Sequence, residues 1–263
     1  MTKLIINTDD FGYSRSVNYG VLDSHRLGIL TSGTLMANMP GFEHGVQIAK
    51  ENPDFGVGVH LVLDCGKPLL KTHELLMDEK GIFHSFDAYA SGEVKRDEAW
   101  KAELEAEWDA QIQKVMNAGI KPTHFDAHHH MHLRFEETQE IVFKLATKYN
   151  MPVRRFERYC PVFPDNIRHT DYFVDGFDQT VCELITDEDA LLKYFNEVID
   201  DILKHDIVEL MVHAGYLDYS VLYGSSWTTV RATVIKAITD SPFVDLVHKN
   251  NIELVNYSIL CEK

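Results

Sequence analysis

Short apolar segments typical of β-strands alternate with helical segments through most of the 263 residues. The strand-like segments are 3–8, 33–38, 55–61, 123–127, 152–156, 207–213 and 252–257, and the helical ones are 14–27, 42–52, 95–118, 135–149, 187–205 and 228–239. Repeated βα units favour a mostly parallel sheet with helices outside it, either an open sheet or a TIM-barrel-like (β/α) barrel. Residues 157–186 are irregular, and no internal repeat or linker is evident, so one α/β domain is predicted over 1–263.

The clearest helix is predicted over 95–118. Five large apolar residues recur there at spacings of three and four, as on one face of an α-helix: Trp100, Leu104, Trp108, Ile112 and Val115. For the helix over 14–27, Ser14 is a suitable N-cap and Gly28 a suitable stop. Residues 64–94, rich in Gly, Lys and Asp, predict a long loop that leaves the core, and loops of this length are commonly functional.

Composition narrows the class of protein. A formal charge of −16 and a pI near 5.2 argue against a nucleic-acid partner, because binding phosphate needs clustered Lys and Arg. The hydrophobic fraction of 45% is typical of a soluble globular protein. The four cysteines have no CxxC spacing, so the sequence predicts neither a disulfide framework nor a zinc ribbon.

The N-terminal apolar stretch is too short for a signal peptide, because Asp9 and Asp10 follow it directly. No stretch of the sequence approaches the roughly 20 apolar residues that a membrane span needs. These features predict a cytoplasmic protein that has no membrane partner.

Five histidines and one aspartate lie within the nine residues 124–132. Imidazole is the commonest protein ligand for zinc and carries protons near neutral pH. If this segment is an extended strand, alternate residues share one face. That face would hold His124, Asp126, His128, His130 and His132. The pattern predicts a metal site, in which some of these residues bind the ion and others orient the ligands by hydrogen bonds.

Polar residues also stand where four of the predicted strands end. They are Asp9 and Asp10, His60, His128 and His213. Because ligands bind at the carboxyl ends of parallel strands, we expect these side chains to meet at one mouth. One carboxylate with two imidazoles suits a divalent cation and leaves positions open for water and substrate. Of two adjacent aspartates, one can bind the metal while the other accepts a proton from water.

Taken singly, each of these residues has an ordinary structural explanation. An Asp-Asp pair in a turn is usually a helix cap or is solvated. His60 and His213, which follow apolar strands, would more often be hydrogen-bonded core imidazoles than ligands. Their joint placement at strand ends is what favours a metal site.

Three sequence blocks resemble the YdjC/ChbG family of carbohydrate deacetylases. They occur in the family's order and spacing: Thr8-Asp9-Asp10-Phe11-Gly12, then Gly58 to Leu63 with Gly66-Lys67-Pro68-Leu69, then Lys121 to His132. The similarity extends, more loosely, across most of the chain. The resemblance implies an irregular (β/α) barrel that hydrolyses the N-acetyl group of a sugar such as N-acetylglucosamine in chitobiose or chitooligosaccharides.

The resemblance also implies roles for individual residues. Asp10, His60 and His128 would bind one divalent metal ion, zinc or magnesium. Asp9 would be the general base for a water molecule that the metal activates, and His213 the general acid that protonates the departing amine. The expected partners are a small carbohydrate substrate and a second copy of the chain in a homodimer.

Two further residues have open assignments. Arg154 resembles, more weakly, a basic residue that steadies Asp9 or the substrate. His128 and His132 have the His-x-x-x-His spacing from which NodB-type deacetylases take both histidine ligands, so His132 is an alternative ligand. The donor set would also suit manganese or cobalt.

Two other functions fit part of the pattern. A metal-dependent phosphoesterase on a similar barrel commonly holds two or more ions and more carboxylates. The sequence has one clear metal triad and no Lys or Arg beside it to hold phosphate, which favours the deacetylase. A sugar-binding or metal-binding protein without activity ranks third, because all the groups that hydrolysis needs are present.

Overall fold

Within residues 1–261, which the computed structural model describes, seven strands form one curled sheet and every pairing between them is parallel. The strands are β1 (Lys3–Phe11), β2 (Ser32–Leu35), β3 (Gly56–Leu61), β4 (Phe125–Ala127), β5 (Tyr172–Val174), β6 (Ile207–Val212) and β7 (Glu253–Leu254). Their order is β4-β3-β2-β1-β6-β5, and β7 pairs with the start of β1.

Helices surround this sheet. They are α1 (Arg15–Leu27), α2 (Phe42–Glu51), α3 (Phe86–Ala90), α4 (Glu98–Asn117), α5 (Met131–Arg134), α6 (Glu136–Tyr149), α7 (Phe177–Leu184), α8 (Glu188–Ile202), α9 (Tyr219–Gly224), α10 (Thr229–Thr239) and α11 (Pro242–Lys249). Short 3₁₀ helices cover His128–His130 and Tyr257–Leu260. Among the helices within residues 1–261, none combines the length and apolarity that crossing a bilayer requires.

The strand order is that of an irregular barrel. Strands β1 to β4 follow one another on one side of β1, while β6 and β5 return on its other side. Beyond β4, the amide of Phe125 donates to the carbonyl of Pro152 and the amide of Arg154 donates to the carbonyl of Phe125, both at 2.9 Å. The predicted (β/α) barrel-like fold is therefore confirmed. Because the strands are parallel, the carboxyl ends of β1, β3, β4 and β6 lie at one edge.

The predicted ends of α1 have clear physical causes. The hydroxyl of Ser14 accepts a hydrogen bond from the amide of Val17 at 3.2 Å, which caps the first turn. The helix ends before Gly28, where a Cβ atom would lie 2.2 Å from the carbonyl oxygen of Ile238. Ser14 as the N-cap and Gly28 as the end of the helix are therefore confirmed. Glycine is required at position 28 because the backbone of Ile238 lies too close for a side chain.

Helix α4 anchors the long loop that follows β3. The five apolar residues that predict this helix are all fully buried. Trp108 donates from its indole nitrogen to the carbonyl of Val62 at 3.3 Å, just beyond β3. Glu107 accepts a hydrogen bond from the amide of Leu69 at 2.8 Å. The helix thus fixes the start of the loop over 64–94 beside the carboxyl edge of the sheet.

The histidine segment differs from its predicted conformation. It is extended only over Phe125–Ala127, not through residue 132. His129 and His130 then adopt positive φ angles of 49° and 55°, and the chain turns into α5. The alternation that would place five polar side chains on one face is therefore wrong beyond Ala127.

Three other segments also differ from the sequence-based predictions. Residues 152–156 make a single parallel bridge at Val153 instead of a strand. The region 157–186, predicted to be irregular, contains β5 and α7. The last strand is only Glu253–Leu254, because the chain turns at Asn256 into a 3₁₀ helix that its side chain caps.

Candidate active site

The end of β1 brings two adjacent carboxylates to the carboxyl edge of the sheet. Asp10 has a φ of 62°, which is rare for a residue with a side chain, and the carbonyl of Asp10 accepts from the amide of Tyr13 at 3.0 Å. Gly12 follows with a φ of 91°, and a Cβ atom there would lie 2.9 Å from Leu35 Cδ1. Because of this turn, Asp9 and Asp10 line the same cavity, although neighbours in a regular strand point apart.

Asp10, His60 and His128 come together as the sequence predicts. Oδ1 of Asp10 lies 2.9 Å from Nδ1 of His128 and 3.4 Å from Nε2 of His60. One ligand atom from each residue lies within 4.8 Å of the other two. Burial opposes ionisation of Asp10, but the charges of His128 and Arg231 hold its pKa well below the ordinary value. Asp10 is therefore an anion ready to bind a cation.

His60 is oriented by a carboxylate on β4. Its Nδ1 lies 2.8 Å from Oδ1 of Asp126, and Oδ2 of Asp126 accepts from the hydroxyl of Thr34 at 2.9 Å. Burial lowers the pKa of His60, but the charges of Asp126 and Asp9 outweigh it and raise the pKa to about 10. The other ring nitrogen, Nε2, is buried and has no hydrogen-bond partner within residues 1–261.

These observations fit a divalent metal ion. The donor set is one carboxylate and two imidazoles, which suits zinc and related ions. A carboxylate behind a ligand histidine fixes the ring and its tautomer, as Asp126 does for His60. The buried, unpartnered Nε2 of His60 faces the carboxylate that would share the ion.

Asp9 is held by Arg154 in a two-point ion pair. Nη1 of Arg154 lies 2.7 Å from Oδ2 of Asp9, and Nη2 lies 2.6 Å from Oδ1. Burial opposes ionisation of Asp9, but the charges of Arg154 and His60 hold its pKa far below the ordinary value. Asp9 is therefore fixed in position and ionised at every ordinary pH.

Arg154 also contacts two further buried carboxylates. Its Nη2 lies 2.9 Å from Oδ2 of Asp126 and 2.7 Å from Oε1 of Glu209. The hydroxyl of Tyr257 donates a short hydrogen bond to the second oxygen of Glu209. Burial raises the pKa of Glu209 to about 7, although Arg154 opposes the shift. One guanidinium thus links Asp9 to the carboxylate that orients His60.

His213 follows β6 and lines the same cavity. Its Nδ1 lies 2.9 Å from Oδ2 of Asp178 on α7. Burial raises the pKa of Asp178 despite the neighbouring imidazole. The ring of Trp227 lies 4.6 Å from the ring of His213, centroid to centroid. An imidazole oriented by a buried carboxylate can carry a proton on its other nitrogen.

The remaining histidines of the segment have other surroundings. His124 stacks on Tyr257 with ring centroids 3.6 Å apart, and burial lowers its pKa well below the ordinary value. His132 is fully buried, and burial lowers its pKa to about 3. His132 thus shares no group of candidate ligand atoms with His128 among the described residues. His130 lines the cavity beside the ring of Phe156.

Several residues of the site have no local sequence signal. Arg231 on α10 lies with Nη2 2.5 Å from Oδ2 of Asp10. Arg134 also lines the cavity, and its Nε donates to the carbonyl of His129 at 2.6 Å. The prediction that no Lys or Arg stands beside the triad is therefore wrong. The contact between Arg231 and Asp10 can be recognised only from the fold, because the two residues are 221 positions apart in the sequence.

A cavity of about 380 Å³ lies at the carboxyl edge of the sheet. Asp9, Asp10, His128 and His213 all line it. A profile of the YdjC-like protein family matches residues 3–249. The chain belongs to the YdjC-like family. The family resemblance of the three sequence blocks is thus confirmed.

The YdjC-like chain is similar over almost its whole length to proteins named carbohydrate deacetylase. The one from Brevibacillus brevis is 39% identical over 261 residues, which cover 98% of this chain and 99% of the relative. The one from Clostridium beijerinckii is 36% identical over 255 residues, which cover 97% and 98%. Among solved structures, the chain is similar to that of an Enterococcus faecalis protein whose name refers to cellobiose-phosphate cleavage. The two sequences are 27% identical, and the two structures superpose with a TM-score of 0.85 over 98% of each chain.

Proposed function

We propose that this YdjC-like protein hydrolyses the N-acetyl group of an amino sugar, such as N-acetylglucosamine in chitobiose or longer chitooligosaccharides. One observation carries the proposal: Asp10, His60 and His128 offer ligand atoms within 4.8 Å of one another. The cavity beside them also contains Asp9 and His213. The name carbohydrate deacetylase, borne by relatives of nearly the same length, gives the reaction and the class of substrate.

Asp10, His60 and His128 would hold a divalent cation, zinc or magnesium. Such a cation would polarise the acetyl carbonyl and lower the pKa of a water molecule towards about 7. Asp126 keeps His60 in the orientation that turns Nε2 towards Asp10. The three ligands all lie at the carboxyl edge of the sheet, so the opposite side of the cation would remain open for water and the acetyl group.

Asp9 accepts the proton of the attacking water in this proposal. It precedes the ligand Asp10 in the chain and lines the same cavity. Arg154 contacts both of its oxygens and keeps it ionised. Oδ1 of Asp9 also accepts from Nδ2 of Asn7 at 3.3 Å, so Oδ2 is the oxygen that has a lone-pair direction left for a water molecule. Asp9 is thus ionised, as a proton acceptor must be, and its lowered pKa makes it a weaker base than an unpaired aspartate.

His213 protonates the departing amine. Asp178 occupies its Nδ1 side, so Nε2 is the nitrogen that gives up a proton. A neutral amine is a far better leaving group than an amide anion, so this proton transfer is needed for the C–N bond to break. The roles of Asp9 and His213 therefore complement each other across one cavity.

A phosphoesterase remains the second candidate, because two observations favour it. Arg231 and Arg134 line the cavity and could bind a phosphate. Asp64 and His129 join His128 in a second group of ligand atoms within 4.8 Å, as a two-metal site would need.

An acetate-release assay with metal analysis on the same sample separates these candidates. The substrates are N-acetylglucosamine, chitobiose and chitotriose, with para-nitrophenyl phosphate as the phosphoesterase probe. We expect acetate release that a chelator abolishes and one bound ion per chain. Phosphate release with two ions per chain would favour the phosphoesterase. A metal-loaded protein that releases neither product would show that chitooligosaccharides are not its substrates.

A further inference from the structure

Arg231 is a buried cation in contact with a candidate metal ligand. It lies on α10, is 2% exposed, and places Nη2 2.5 Å from Oδ2 of Asp10. Its position does not depend on Asp10 alone. Nε donates to the carbonyl of Trp227 at 2.9 Å, and Nη2 lies 3.3 Å from the hydroxyl of Ser225. The guanidinium is therefore fixed by its own helix and the loop before it.

The two oxygens of Asp10 have separate partners. Oδ1 lies 2.9 Å from His128 and 3.4 Å from His60, whereas Oδ2 lies 2.5 Å from Arg231. A carboxylate that is free on both sides can bind a cation through both oxygens. Here the contact with Arg231 engages the oxygen that such two-point binding would need.

Electrostatics argues that Arg231 is not there to tighten metal binding. A positive charge beside a ligand repels a cation, and it does so strongly where burial reduces screening. A site selected only for affinity would place a neutral hydrogen-bond donor at this position. What Arg231 does to Asp10 is therefore to be sought in its contact with Oδ2, which fixes where that oxygen lies.

We propose that Arg231 is a positioning residue that holds Oδ2 of Asp10 and so limits Asp10 to binding the cation through Oδ1 alone. The proposal rests on the proposed function, because the position on the cation that Oδ2 does not occupy would be taken by water or by the acetyl oxygen.

The test compares Arg231→Gln and Arg231→Lys with the wild-type protein loaded with Co²⁺. The visible absorption of Co²⁺ reports how many ligands surround the ion. For Arg231→Gln we expect Co²⁺ affinity equal to or higher than that of the wild type and a spectrum shifted towards more ligands. We also expect kcat to fall about 10- to 100-fold, with a much smaller change in KM. Arg231→Lys keeps the charge and should recover part of the spectrum and of the rate.

Lys236→Gln is the matched control, because it removes an exposed cation from the same helix. It should change neither the spectrum nor kcat. A loss of Co²⁺ affinity of about tenfold or more in Arg231→Gln, or an unchanged spectrum, would overturn the proposal. If Arg231→Gln fails to fold, Arg231→Met decides, because it also removes the guanidinium. A wild-type Co²⁺ spectrum in that variant would contradict the positioning role. The spectrum tests Arg231 even if the wild type releases no acetate, so the two proposals fail separately.

Discussion

Arg154 and Asp9 form a buried two-point ion pair, with Nη1 2.7 Å from Oδ2 and Nη2 2.6 Å from Oδ1, across 145 residues of sequence. The same guanidinium contacts Asp126 and Glu209. It is therefore the cation that allows several carboxylates to be buried together at the base of the candidate site. Its removal would leave Asp9 and Glu209 without their arginine partner, while His60 would still face Asp126.

Arg154→Gln should destabilise the protein and inactivate it. Breaking a buried ion pair by removing one partner typically costs about 3–5 kcal/mol, because the remaining charge stays buried. We expect urea unfolding to show a loss of that size. Arg158→Gln is the control, since this side chain is 66% exposed and pairs with Asp175 at 3.5 Å. That change should cost less than about 1 kcal/mol. Equal effects of the two variants would show that Arg154 has no special role.

Asp126→Asn should weaken metal binding while leaving the fold intact. Asn has the shape of Asp but cannot hold the His60 imidazole by charge. Residues that orient a ligand histidine typically contribute about 10- to 100-fold in metal affinity. Titration with Zn²⁺ measures this directly. Asp64→Asn serves as the comparison, because Asp64 lies 2.6 Å from His129, outside the proposed triad. If Asp64→Asn were the more damaging change, the ion would bind at the other cluster.

Glu209 should make the stability of the metal-free protein depend on pH. Burial raises its pKa from 4.5 to about 7 in the folded state, so the folded protein binds the proton more tightly than the unfolded chain does. The stabilisation is complete below the unfolded pKa and is lost as the pH rises through the folded one. A shift of this size corresponds to about 3 kcal/mol.

Urea unfolding at about pH 5 and about pH 8 measures this effect in the wild type and in Glu209→Gln. The variant cannot titrate at this position. Its stability should therefore fall by about 2–3 kcal/mol less than that of the wild type over this range. Identical pH dependence in both proteins would mean that Glu209 titrates normally.

The barrel and the convergence of the site could be predicted from the sequence for one reason. Parallel strands end at one edge, so a polar residue after each apolar segment has a predictable location. Asp10 near the end of β1, His60 near the end of β3 and His128 directly after β4 meet there. The same reasoning places His213 at the cavity.

The conformation of the histidine segment could not be predicted from alternation. The prediction that alternate residues share one face assumes a continuous strand, but the backbone turns at His129 and His130, which have positive φ angles. Five histidines are also more than one ion needs. His124 and His132 are buried in the interior and kept neutral there, a role that imidazole can fill as well as metal binding.

Residues that reach the site from distant elements were also beyond sequence reasoning. Asp178 lies on α7, within a region whose composition predicts irregular structure. Arg231 approaches Asp10 from α10, 221 residues along the chain. Neither residue ends a strand, and neither belongs to a recognisable motif. Only tertiary packing shows that Asp178 contacts the candidate acid His213 and that Arg231 contacts the candidate ligand Asp10.

Asp9→Asn tests the proposed chemistry most directly. Asn keeps the shape of Asp9 and leaves Asp10, His60 and His128 unchanged, so the variant should bind the same amount of metal as the wild type. It cannot accept a proton from water, and loss of a positioned general base typically costs about 10²- to 10⁴-fold in rate. Acetate release from chitobiose and metal content should be measured on the same preparations. A metal-loaded variant with that loss of rate is the expected result, whereas near-normal acetate release would show that Asp9 is not the base.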